Sequence, residues 1–275
     1  MRRTVIFCLA LTLISINFNA TSAAGSGEAL SSVNKNHKRS AIKLFNGKNL
    51  DGWYTFIRGR GLNIDPEKVF SVQNRKIKIS GKEYGCITTY EEFENYKLTV
   101  EFKWGDSTYT PRVSKTRDSG ILLHSVGADG NSSGTWMNSI ECQIIEGGTG
   151  DFIVVGDGTT NFSITCPVAA EKQNGSYVFN PSGNRVTINK GRINWYGRDP
   201  EWEDVKGFRG AGDVEKATGK WNRIECVVKD GGISVHVNGK LVNQAFDVLP
   251  RRGKIQIQSE GAEIIFRKIN LKPLS

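Results

Sequence analysis

Two carboxylates and an amide fall within six residues at Glu141-Cys142-Gln143-Ile144-Ile145-Glu146, the stretch of this chain best suited to chemistry. Side chains on a β-strand alternate between faces, so Ile140, Cys142 and Ile144 turn one way and Glu141 and Gln143 the other. An apolar face backed by a face of acid plus amide describes a strand that is either half-solvated or lines a cleft. Glu141 is a candidate catalytic acid or base, since a carboxyl can hold or release a proton beside a breaking bond. Gln143 offers a donor and an acceptor to the hydroxyls of a bound molecule. Glu146 stands five positions beyond Glu141, which strict alternation puts on the opposite face. A bulge between them would bring both acids to one side, and Glu146 is a second candidate catalytic carboxyl on that condition. Gly134 before the strand and Gly147-Gly148-Thr149-Gly150 after it favour the cleft reading.

Other residues extend the set. His124 ends the run Ser119–Ser125, the strand just before the Glu141 strand, and sequential strands often pair; it is the third catalytic candidate. Gln256, Gln258 and Glu260 share a face opposite Ile255 and Ile257, a polar row in which Gln258 and Glu260 are candidate substrate contacts. Trp136 and Trp195 supply aromatic faces for stacking, whereas Trp202 is assigned to the core of its own segment. Asp118-Ser119-Gly120 reads as a turn at the start of a strand, with Asp118 bonding nearby backbone. His236 is read as a surface residue. The pattern requires no cofactor. A divalent metal held by a carboxylate and His124 is a further candidate, with the metal's identity and full ligand set unknown.

These side chains have to be placed by strands. Tyr96–Trp104 alternates with Leu98, Val100 and Phe102 on one face, and Trp221–Lys229 does the same with Ile224, Cys226 and Val228. Gln73-Asn74-Arg75, Asp230-Gly231 and Asn238-Gly239 are expected hairpin turns, because asparagine, aspartate and glycine tolerate positive φ. Residues 159–217 are turn-rich and read as an insertion folded over the domain, with one small hairpin from Val186–Ile188 to Ile193–Trp195. Long amphipathic helices and internal repeats are not read anywhere in the sequence. Roughly a dozen short strands argue for an all-β sandwich.

The 275 residues carry a formal net charge of +9. Met1-Arg2-Arg3, an apolar run from Val5 to Ile16 and the small residues Ala20–Ala24 have the layout of a signal peptide over 1–24. Residues 25–40 are polar and patternless, an expected disordered linker, and the folded domain is expected over 41–275. The expected location is therefore outside the cytoplasm, periplasmic or extracellular. Basic residues form no dense helix or aromatic-interleaved strand, so no nucleic-acid partner is expected, and no apolar run is long enough for stable membrane insertion. Four cysteines, Cys86, Cys142, Cys166 and Cys226, follow the leader; three disulfide pairings are open, as is packing as free thiols.

Several motifs in order resemble a known family. They are Leu44-Phe45-Asn46-Gly47-Lys48-Asn49-Leu50-Asp51-Gly52-Trp53, Asp118-Ser119-Gly120-Ile121, the Glu141 strand, Gly150-Asp151, Trp221-Asn222, Val237-Asn238-Gly239 and Ile257-Gln258-Ser259-Glu260-Gly261. Together they are similar to the 3-keto-disaccharide hydrolase domain, in a branch with a long insertion. The resemblance implies a concanavalin A-like jelly roll and cleavage of 3-keto-glycosides, by elimination or hydrolysis. Its implied partner is a sugar or sugar derivative. Glu141-x-Gln143-x-x-Glu146 also resembles the Glu-x-Asp-x-x-Glu strand of laminarinase-type retaining glycosidases, with an amide at the middle acid. An ordinary retaining glycosidase and a non-catalytic carbohydrate-binding module are the alternatives.

Overall fold

A computed structural model describes residues 40–275, and the expected leader and nearly all of the expected linker lie outside the described residues. Each alternating apolar run of the sequence forms a strand. In chain order they are β1 Ile42–Lys43, β2 Trp53–Ile57, β3 Gly61–Leu62, β4 Phe70–Gln73, β5 Lys76–Ile79, β6 Gly85–Thr89 and β7 Tyr96–Thr108. Next come β8 Asp118–Val126, β9 Asn138–Ile145, β10 Phe152–Val155, β11 Ser163–Val168, β12 Tyr177–Val178, β13 Asn184–Ile188 and β14 Gly191–Asn194. The last five are β15 Asn222–Lys229, β16 Gly232–Val237, β17 Lys240–Leu249, β18 Lys254–Ser259 and β19 Ala262–Pro273. Among the described residues no helix is long and apolar enough to cross a membrane.

The strands form two sheets. The first runs β13-β11-β17-β16-β15-β7-β19-β5-β4, with β1 added beside β19; the second runs β12-β14-β10-β9-β8-β18-β6-β2-β3. Between them lies one core, to which β7 gives Leu98, Val100 and Phe102, β15 gives Ile224 and Cys226, and β9 gives Ile140, Cys142 and Ile144. Burying each such aliphatic or aromatic side chain stabilises the fold by about 1.5–3 kcal/mol, which is why the alternation is obeyed strand after strand. This is the jelly-roll sandwich expected from the sequence.

The tight turns are the expected ones. Asn74 and Arg75, Asp230 and Gly231, and Asn238 and Gly239 all have positive φ, as two-residue hairpin turns demand. Cys86, Cys142, Cys166 and Cys226 are all buried free thiols. The insertion departs from expectation. Val186–Ile188 and Ile193–Trp195 do not pair as a hairpin, because β13 joins β11 in the first sheet while β14 joins β10 in the second. The segment thus supplies edge strands to both sheets, its chain crossing from one to the other at Asn189-Lys190.

Candidate functional site

Register brings the polar residues together on the face of the second sheet that points away from the core. Glu141 of β9 pairs with Leu122 of β8, Gln143 with Gly120, and Ile145 with Asp118, so Asp118, Gly120, Glu141 and Gln143 share that face. Gln256 of β18 pairs with Leu122 on the far side of β8, which puts Gln256 and Gln258 on the same face. Gly120 has no side chain between Glu141 and Gln258. A β-carbon there would overlap Oε1 of both residues, so the glycine is what lets the two side chains meet across β8.

The resulting cleft has a volume of about 830 Å³, and its lining includes Arg112, Asp118, Glu141, Gln143, Gln258 and Glu260. Trp136 and Arg192 also border it. Part of the same sheet face is closed by an apolar cluster of Cys86, Leu122 and Trp136, packed with Phe56, Tyr84 and Val155, so Trp136 forms the wall between cleft and plug. Asp118 is buried: the Gln143 amide donates to its Oδ1 and the Arg112 guanidinium to its Oδ2. Arg112 also lies 3.8 Å from Glu260. Arg192 donates to Asp151 at 2.7 Å; Asp151 also accepts from the Arg198 guanidinium, and from the Trp195 backbone N–H at 2.7 Å.

Three carboxyls in so small a volume disturb one another. Burial, reinforced by the neighbouring Asp118 charge, pushes the Glu141 carboxyl up to about 8, against the pull of Arg192. Burial also raises Asp118, but Arg112 opposes it and the group settles at about 6. Glu260 is raised as well, first by burial and then by Asp118 and Glu141. The cleft thus splits these two acids, with Glu141 holding its proton more tightly than Asp118. The Oε1 atom of Gln258 is buried with no donor among the described residues, and it lies beside the Glu141 carboxyl over Gly120.

Not every residue singled out from the sequence reaches the cleft. Glu141, Gln143, Trp136, Gln258 and Glu260 line it. Glu146 does not. The β8–β9 register is unbroken from Asp118–Ile145 to Leu123–Ile140, so the bulge needed to bring Glu146 beside Glu141 is absent. Its carboxylate instead accepts from the Arg117 guanidinium at 2.6 Å, and from the backbone N–H groups of Arg117 and Gly207 at 2.9 Å each, tying the insertion to β8. The acid pair expected for a retaining glycosidase is not formed by these two residues.

His124 is also elsewhere. The irregular register between Leu123 and Val126, with His124 at φ 54°, turns the ring out of alternation and into the interior. There it packs edge-on against Tyr96, ring centroids 6.1 Å apart, and its Nδ1–H donates to the Pro250 carbonyl at 2.6 Å. Burial lowers its pKa to about 4 despite that hydrogen bond. Trp195 is 1% exposed, donates through Nε1 to the Gly147 carbonyl at 3.2 Å, and presents no face to the cleft. Trp202, assigned from the sequence to the core of its segment, is half-buried, packed with Phe208 and donating to the Glu146 carbonyl.

Sequence reading favoured a plain turn role for Asp118 over a place in the cleft, and it missed Arg112 and Arg192. A signal for Asp118 was present: Gly120 interrupts a strand interior, and a glycine there marks close approach of other groups. The arginines carried no such mark. A metal held by a carboxylate and His124 does not fit, because the ring points into the core. Among the described residues no three histidine, cysteine, aspartate or glutamate side chains gather as a metal site.

Residues 40–272 match the domain family described as 3-keto-alpha-glucoside-1,2-lyase-like. Among solved structures, the fold is similar to a provisionally named glycosyl hydrolase from Parabacteroides distasonis ATCC 8503. The two share 18% identity over 86% of this chain and 94% of that one, with a TM-score of 0.50. A second provisionally named glycosyl hydrolase from the same strain shares 20% identity over 86% and 100% of the two chains, at 0.48. The carbohydrate-binding module CBM66 from Bacillus subtilis shares 8% over 80% and 95%, at 0.47. A comparison with curated proteins gave no match. At 18% identity the likeness to the first of these speaks to the fold alone.

Proposed function

Since this chain belongs to the 3-keto-alpha-glucoside-1,2-lyase-like domain family, we propose that its cleft cleaves a glycoside bearing a ketone at C3 of the sugar, by elimination across C1 and C2. The ketone acidifies the proton on C2, so the bond to the leaving oxygen breaks without an oxocarbenium ion. The step needs a base for that proton, a positive or donor group at the ketone oxygen and an acid for the leaving group. Asp118, ionised at neutral pH, takes the C2 proton, exchanging its Gln143 contact for the substrate. The C–H electron pair becomes the C1–C2 double bond as the C1–O bond breaks. Glu141, protonated at neutral pH, gives its proton to the departing oxygen, so an alcohol leaves and an unsaturated keto sugar remains. Arg112 is the cation positioned to stabilise the negative charge that builds on the ketone oxygen. Gln258 and Glu260 hold hydroxyls, and Trp136 forms the apolar wall against the ring.

The observation that supports this reading is the separation of the two carboxyls, Asp118 near 6 and Glu141 near 8, in one cleft. Environments that push two acids apart across neutrality assign one as base and the other as acid. The leader-like first 24 residues accord with work outside the cytoplasm, on sugars ahead of uptake. The test is turnover of a 3-keto-glucoside against its unoxidised parent. Consumption of the keto compound alone, with an unsaturated keto sugar as product, is expected. Hydrolysis of the parent would favour an ordinary glycosidase, and binding without turnover a carbohydrate-binding module.

A further inference from the structure

The outer face of the first sheet carries an excess of cations, more exposed than the acids they pair with. Side chains of β7, β15 and β19 that turn away from the core include Lys97, Lys103, Arg223, Arg267 and Lys268, with Glu101, Glu225 and Glu263 between them. These acids are paired from several sides: Arg267 at 2.6 Å and Lys268 at 4.0 Å hold Glu101, Lys97 at 2.5 Å and Arg223 at 2.9 Å hold Glu225, and Lys78 holds Glu263 at 2.9 Å, so the cations outnumber the acids they share. The two signs also sit at different depths. The acids are 12–17% exposed, whereas Lys78, Lys97, Lys268, Arg267 and Arg223 are 36–47% exposed. An approaching molecule meets the cations, with the acids recessed beneath them. Trp221 is flanked by Lys103 at 5.5 Å and Arg267 at 4.3 Å from its ring centroid, which holds both side chains in place at the edge of the array.

We propose that this face docks an anionic polysaccharide, its carboxylate or sulfate groups bridging Lys97, Lys103, Arg223, Arg267 and Lys268. A membrane surface fits less well, because the exposed large apolar side chains lie off β7, β15 and β19; the nearest is Ile42 on the neighbouring edge strand β1, and a single isoleucine makes no apolar face. Nucleic acid fits less well too, since Trp221 is already engaged by two cations and offers no bare ring for a base. Neighbouring strands lie about 4.8 Å apart, so the cations form rows that a flexible polyanion can cross. The cleft opens on the opposite sheet, so a docked chain keeps it free. The proposal is independent of the chemistry assigned to that cleft.

The experiment compares retention of the full chain on immobilised dextran sulfate and on uncharged dextran over a sodium chloride gradient. Retention on the sulfated beads alone, lost as salt screens the charges, is expected. The triple variant Lys103→Gln, Arg223→Gln, Lys268→Gln is expected to bind dextran sulfate about tenfold more weakly or worse. A triple with the same charge change elsewhere, Arg60→Gln, Lys82→Gln, Lys172→Gln, is expected to bind as the wild type does. Acetic-anhydride labelling of the unsubstituted chain supplies a check that depends on no variant: dextran sulfate should protect Lys97, Lys103 and Lys268. Absence of retention, equal weakening in both triples, no protection, or tighter binding to phosphatidylglycerol vesicles than to dextran sulfate would each overturn the proposal.

Discussion

Glu141 and Gln258 come from strands that are not neighbours, yet their side chains meet above the α-carbon of Gly120 on the strand between them. That contact joins the acid of the cleft to its polar floor. Gly120→Ala should therefore disturb chemistry more than stability. A methyl group there displaces the mobile ends of two side chains and leaves the backbone alone. A fall in kcat of tenfold or more is expected with a loss in Tm of only a few degrees, read from initial rates and a thermal melt. Equal loss of both would mean that the glycine serves only packing.

Glu141→Gln removes the proton that the leaving oxygen needs while keeping the shape of the side chain. A loss of about 10²- to 10⁴-fold in kcat is expected, with substrate affinity by calorimetry nearly unchanged. Wild-type rate should rise with pH through about 6 and fall through about 8, following Asp118 and Glu141. Asp118→Asn should remove the acidic limb along with most of the rate. A flat profile between pH 5 and 9 would contradict these assignments.

The same protonated carboxyl has a consequence for stability. A carboxyl whose folded pKa is raised binds its proton more tightly folded than unfolded. As pH climbs from the usual 4.5 to about 8, Glu141 must either keep an expensive proton or ionise in the interior, and stability drains away over that window. Glu215, buried against Trp104 and Thr149 and also raised to about 8 by burial, acts in the same direction. Glu141→Gln should thus melt higher than the wild type at pH 9, by on the order of 3–5 kcal/mol in stability, with little difference at pH 4.

Glu146→Gln should do the reverse of Glu141→Gln. It leaves the buried Arg117 guanidinium without its counter-charge, a change that costs about 3 kcal/mol and lowers Tm by roughly 6–12 °C. The kcat of the folded fraction should stay within a factor of two. A specific loss of kcat at unchanged Tm would return Glu146 to the chemistry.

His124 carries a prediction of opposite pH sense. Its folded pKa is held near 4, so below 6.5 the unfolded chain takes up a proton that the folded chain refuses. Stability from this group is present above 6.5 and is lost as pH falls toward 4. His124→Gln should flatten that acid limb of a Tm-against-pH curve and leave kcat at pH 7 unaltered. Trp195→Phe should likewise cost stability without moving KM, whereas Trp136→Ala should raise KM.

The sandwich was legible because its code is local. Val100 and Phe102, or Ile224 and Cys226, announce their face by alternation, and Asn238-Gly239 announces its turn by backbone tolerance. Glu141 and Gln143 were legible for the same reason. Glu146 and His124 were not, because each depended on whether a strand bulges. In the β8–β9 pairing the irregularity fell at His124, where it turned a cleft candidate inward, and none fell between Glu141 and Ile145. Arg112 escaped because it sits in a turn that folds back onto Asp118, a contact set by tertiary structure with no periodic signature. The split of β13 and β14 between sheets escaped because two short strands in sequence look alike whether or not they pair.

That split fixes what can be cut from the chain. Residues 159–217 look like an appendage that protein engineers would trim to obtain a minimal domain. Trimming them would uncover the edge of β17 in one sheet and of β10 in the other, leaving two rows of bare N–H and C=O groups ready to recruit a neighbouring molecule. The shortened protein would be expected to come out of solution as aggregates, which makes this segment the selvedge of the fabric.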